Sequence, residues 1–170
     1  MLTQNIFLFL VALTGAVYDW KVRKIPNWLT LGTFGLVLLI NICSLNIELI
    51  KNCLFGFFAG IGILFIPYLL RAMGAGDVKL LGAIGSLVGF KDVIIIFFYS
   101  SVFGLFLGLI WMIFKPGHLK FLITTGQVLP VVDKKQKIPY GVAIFLGTIL
   151  YIMVKTTGLY NLNLHLPLCQ

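Results

Sequence analysis

Six apolar runs follow one another along the chain, separated by short polar breaks: about Leu2–Tyr18, Trp28–Leu45, Asn52–Leu70, Val78–Phe90, Val93–Phe114 and Ile138–Val154. A helix needs roughly 20 apolar residues to cross the hydrocarbon core, and most of these runs come close to that. The fourth is short and rich in glycine. Backbone amides and carbonyls find no water inside a bilayer, so each run is expected to be helical. The glycines and other small residues would let helices approach closely. The pattern predicts an all-α, polytopic membrane protein with six transmembrane helices, one domain over residues 1–170. The one long connection, 115–137, is basic and is expected on the cytoplasmic side. The first run has no positive segment before it and leads into Asp19 and a basic cluster, so it reads as a retained span and not a signal peptide.

Charge sets the orientation. With the connection after the first run inside, the inner side holds Lys21, Arg23, Lys24, Arg71, Lys79, Lys115, Lys120, Lys134, Lys135 and Lys137, against Lys51, Lys91 and Lys155 outside. By the positive-inside rule both termini then lie outside. Leaving the fourth run out of the membrane would move the long basic connection to the opposite face.

Composition agrees with the pattern. Hydrophobic residues make up 60% of the chain and charged residues 11%, where a soluble domain carries about 25% charged. The net charge of +8 fits anionic lipid as partner, and no aromatics are interleaved with the basic residues, so nucleic acid is not expected. Cys43, Cys53 and Cys169 form no CxxC pair, and His118 and His165 stand alone; neither a metal nor another cofactor is signalled. A Cys43–Cys53 disulfide is not expected.

With only five acidic residues, acid-dependent chemistry has few sources. Glu48 and Asp92 fall outside, and Asp133 lies among lysines. Asp19 and Asp77 both fall at the cytoplasmic edge of the membrane, at matched depth. Two carboxyl groups held close do not both ionise readily, so one keeps its proton and the pair serves as base and acid together. Such a pair can activate water while protonating a substrate carbonyl, which is the chemistry of aspartic peptide hydrolysis. Ordinary roles compete with this. Asp77 at a helix start can cap it, and Asp19 can form a surface ion pair with Lys21, Arg23 or Lys24. Gly74 and Gly76 permit unusual backbone and close approach of another chain, suited to an extended substrate beside Asp77. They also suit a plain turn. Lys79 can bias the pair electrostatically or extend to lipid headgroups. Pro26 marks a helix boundary, with Asn27 able to cap the second helix, and Trp20 and Trp28 fit an interfacial aromatic belt.

The stretches "YDWKVRKIPN" (Tyr18–Asn27), "GAGDVKLLGAIGSLVG" (Gly74–Gly89) and "KIPYGVAIFLG" (Lys137–Gly147) resemble, in order, three signature regions of type IV prepilin peptidases. The resemblance extends over nearly the whole chain. It implies catalytic aspartates at Asp19 and Asp77, with Gly74, Gly76 and Lys79 as candidate substrate contacts. It implies a prepilin or pseudopilin substrate cut after a glycine on the cytoplasmic side of its apolar helix, at the inner membrane, for pilus assembly or secretion. It implies no cofactor. Many members carry an amino-terminal region with CxxC pairs associated with N-methylation; this sequence resembles the short, peptidase-only members, and methyl transfer is not expected. The Tyr-Asp and Gly-x-Gly-Asp pairing is also similar to presenilin-type proteases, whose Pro-Ala-Leu motif is absent here.

Two other functions use the same residues differently. A transport protein would bind protons or cations at Asp19 and Asp77, and needs a polar path onward; Asn41, Ser100, Ser101 and Thr148 are the few polar residues available. A non-catalytic assembly subunit would tolerate replacement of both aspartates.

Overall fold

The computed structural model describes residues 2–70, 73–114 and 140–157. The basic connection 115–137 with Asp133, and Arg71, His118, His165 and Cys169, lie outside the described residues. Among the described residues the chain is all-α, with six helices: α1 (Leu2–Val22), α2 (Asn27–Cys43), α3 (Ile47–Leu69), α4 (Ala75–Val88), α5 (Phe90–Phe114) and α6 (Tyr140–Thr156). Stretches Thr3–Val22, Ile47–Leu69 and Phe90–Ile110 are long and apolar enough to cross a membrane, and α2 and α6 are shorter apolar helices. The protein is a multi-pass membrane protein.

Helix ends depart from the apolar pattern in several places. Helix α1 continues past Tyr18 through Asp19 to Val22; it ends where Arg23 turns to φ 53° with its amide on the Asp19 carbonyl, 3.0 Å away. Helix α3 starts at Ile47, because the Asn46 side chain accepts from the amides of Glu48 and Leu49 and caps a polar first turn. The expected cap of α2 by Asn27 is not found: Pro26 holds the cap position, no side chain caps it, and Asn27 is the first helical residue.

The short fourth run is the hub. Nine residues of the 14 in α4 are buried, and the helix packs against each of the other five. At about 1.5 Å per residue, α4 is about 21 Å long, less than the roughly 30 Å of hydrocarbon, but its sides meet protein. Glycines make the closest of these contacts. A Cβ at Gly60 of α3 would sit 2.5 Å from the Leu81 carbonyl oxygen, and Gly56 and Gly85 face each other backbone to backbone. Between α4 and α5 the chain turns at Gly89, φ 92° and ψ 178°, a conformation open essentially to glycine alone.

Successive helices run in opposite directions. One end of the bundle gathers Asp19, Ile25, Asn27, Gly76 and Gly141. At the other end Gln4 donates to the Leu87 carbonyl, Asn52 accepts from the Phe90 amide, and Lys155 and Tyr151 of α6 both donate to Asp92 of α5. Cys43 and Cys53 are free thiols.

Candidate active site

Helical spacing turns Asp19 inward between exposed neighbours. Its residue is 8% exposed, while Tyr18 is 37% and Trp20 70% exposed. The carboxylate meets the start of α6, where the Gly141 amide donates to Asp19 Oδ2 at 2.7 Å. This is not the surface ion pair that the neighbouring basic residues suggest. The group is buried, and its hydrogen bond is to backbone.

Asp77 is 7% exposed, in the first turn of α4. Its Oδ2 accepts from the Gly74 amide at 3.2 Å, and its own amide donates to the Gly74 carbonyl at 3.2 Å. The carboxylate therefore does cap its helix, and the cap fixes where the group stands. Each aspartate lies at the positive end of a helix, Asp77 at that of α4 and Asp19 at that of α6. Such ends favour negative charge.

The packing of α1 on α4 puts the two residues toward the same end of the bundle. Gly15 lies against Leu80, a Cβ there falling 2.7 Å from Leu80 Cδ1. Asp19 is about one turn beyond Gly15, and Asp77 about one turn beyond Leu80, both toward the same end.

Neither Gly74 nor Gly76 has a positive φ. Gly74 has φ −81° and ψ 149°, ordinary extended backbone. A Cβ there would lie 3.2 Å from Asp77 Oδ2, so its value is room for the capping carboxylate. At Gly76 the close neighbour is Ile25 of this same chain, whose Cβ and amide nitrogen would be 3.1 and 3.3 Å from an added Cβ. The buried Ile25 thus seats the α1–α2 connection on the start of α4. Lys79 does not simply reach outward: its Nζ donates to Asn27 Oδ1 at 2.9 Å, tying α4 to the first residue of α2.

These contacts join all three quoted stretches: Asp19, Ile25 and Asn27 from the first, Gly74 to Lys79 from the second, Tyr140 and Gly141 from the third. A match to the model of the type IV leader peptidase family covers residues 6–109. The chain belongs to that family. A prepilin leader peptidase/N-methyltransferase of Xanthomonas campestris pv. campestris is 34% identical over 130 residues, covering 72% of this chain and 44% of that protein. The chain thus spans less than half the length of this curated relative. No solved structure matches it.

The family match includes both aspartates but stops before α6. What Gly141 does is not legible in the side chains of "KIPYGVAIFLG". The only signal was the glycine at the mouth of an apolar run. Beside it, the Tyr140 ring packs on Gly104 of α5, where an added Cβ would be 2.7 Å from Tyr140 Cε2.

Proposed function

We propose that this protein is an aspartic endopeptidase of the membrane edge, in which Asp19 and Asp77 share a proton and activate a water. The water attacks the carbonyl of the scissile peptide, polarised by the protonated carboxyl. The tetrahedral adduct then collapses as a carboxyl proton passes to the leaving amine. In this reading all six helices lie across the inner membrane, both termini are outside, and the dyad faces the cytoplasm. The substrate is a type IV prepilin-like protein, held by its apolar helix and cut after the glycine that ends its basic leader. Gly74, Gly76 and Lys79 form the rim against which the leader's backbone lies.

The observation that carries this is the arrival of two buried carboxylates, 58 positions apart, at the same end of one bundle, each held by a backbone amide. Helix α5 passes the site at Gly104, against Tyr140, and continues to Phe114, about 15 Å further. In this reading the pair lies beside the apolar α5, where a lipid-anchored substrate can reach it.

Transport finds less support. Among the described residues, the buried hydroxyls of Thr33, Ser86, Ser100 and Thr148 each donate to a carbonyl of their own helix. They do not line up as a relay from the dyad.

The test is co-expression with a prepilin, reading the size and cut site of the product. Wild type should release the leader after its glycine, and Asp19→Asn and Asp77→Asn should each leave the precursor intact. Full processing by either variant overturns the dyad.

A further inference from the structure

We propose that Gly141, through its backbone amide, is the positioning residue that holds the Asp19 carboxylate in its working orientation. The proposal rests on the endopeptidase reading above, and goes beyond it by giving the start of α6 a part in the reaction.

Three observations carry it. The hydrogen bond from the Gly141 amide to Asp19 Oδ2 is 2.7 Å long and buried, and it joins positions 122 apart in sequence. Gly141 has no room for a side chain: a Cβ would lie 2.8 Å from both the Cβ and Oδ2 of Asp19. That close approach brings an amide at a helix start against a carboxylate, where the unpaired N–H groups and the helix dipole favour negative charge. Helix α6 is in turn fixed from behind. Gly147 lies directly on Ser100 of α5, Tyr140 on Gly104, and the far end is held by Asp92 with Tyr151 and Lys155.

The consequence is an asymmetric pair. Asp77 takes its amide from Gly74, three residues away on its own turn, so its placement is local. Asp19 takes its amide from another helix, so its placement depends on how α6 packs on α1. A carboxylate accepting a buried N–H in line keeps one oxygen occupied and turns the other toward the shared space. Displacing it by an ångström or so is expected to lower the rate of the chemical step by about a hundredfold and to leave leader binding alone.

The test uses purified full-length protein and a prepilin reporter, with kcat and KM measured separately. Gly141→Ala should lower kcat by tenfold to a hundredfold with KM within about twofold. Val142→Ala, on the next and only half-buried position, should leave both unchanged. A merely structural role would instead lower the yield of folded protein or raise KM together with the fall in kcat.

If Gly141→Ala does not fold, a second measurement decides. In protein labelled with 15N-glycine, the Gly141 amide resonance should shift in Asp19→Asn and the Gly147 resonance should not. An unmoved Gly141 signal, or a Gly141→Ala enzyme with wild-type kcat, overturns the proposal. Because the resonance shift needs no turnover, it separates this outcome from failure of the peptidase reading, which would appear as cleavage by Asp19→Asn.

Discussion

Gly15 of α1 stands against Leu80 of α4, so close that an added Cβ would lie 2.7 Å from one leucine methyl and 2.8 Å from the other. Leu80 is fully buried, so those methyls have little space to retreat. This contact sets the spacing of the helices that carry Asp19 and Asp77. Gly15→Ala is expected to cost about 1 kcal/mol as Leu80 adjusts, and Gly15→Leu more, up to about 3 kcal/mol, by overpacking. The larger variant should also lose prepilin cleavage in the fraction that folds, because it drives α1 from α4. Thermal unfolding in detergent and a cleavage assay on the same samples check both; full activity in Gly15→Leu would mean the contact does not set the dyad.

Asp77 is both helix cap and proposed catalyst, and two substitutions separate these roles. The oxygen of an asparagine can still accept the Gly74 amide that Asp77 Oδ2 now accepts. Asp77→Asn should therefore keep nearly all its stability and lose cleavage. Asp77→Ala should lose cleavage and also about 1 kcal/mol of stability, the usual worth of a capping side chain. Equal melting temperatures for the two variants would remove the cap from the account.

Much of this site could be read from sequence for a simple reason. In an apolar chain with five acids, a carboxylate at a membrane edge stands out, and Asp19 and Asp77 did. Residues whose part is played by backbone left no such mark. Gly141 acts through an amide every residue possesses, and Gly76 through the absence of a side chain against Ile25. The hub role of α4 was hidden as well, since an apolar run reads the same whether its neighbours are lipid tails or helices; only the glycines of "LLGAIG" hinted at close packing. Helix ends moved where local polar chemistry outweighed hydropathy, as at Asn46, whose side chain starts α3 five residues before the apolar run begins.

Gly89 links α4 to α5 at the end remote from the dyad. Its φ of 92° with ψ of 178° is a region that other residues rarely enter, and an added Cβ would strike the Asn52 side chain. Gly89→Ala should cost about 1–3 kcal/mol, while the folded fraction keeps wild-type kcat. Asn52→Ala, which removes the acceptor of the Phe90 amide, should destabilise by about 1 kcal/mol, again without changing kcat. A kcat loss in either variant, at equal folded protein, would show that this turn is coupled to the site.

Lys79 offers a test of how the rim meets a leader. Its ammonium donates to Asn27 Oδ1 at 2.9 Å, so it ties the start of α4 to the start of α2 across 52 positions. If that tie were its whole role, Lys79→Met and Asn27→Ala would act alike, each losing about 1 kcal/mol or less, and the double variant would lose no more than either single one. The rim reading predicts the same non-additive stability but a difference in kinetics. Lys79→Met should raise KM for the prepilin by a larger factor than Asn27→Ala, since only the former removes a cationic donor to the leader's backbone carbonyls, and kcat should change little in both. Equal KM values in the two variants would reduce Lys79 to a strut between helices.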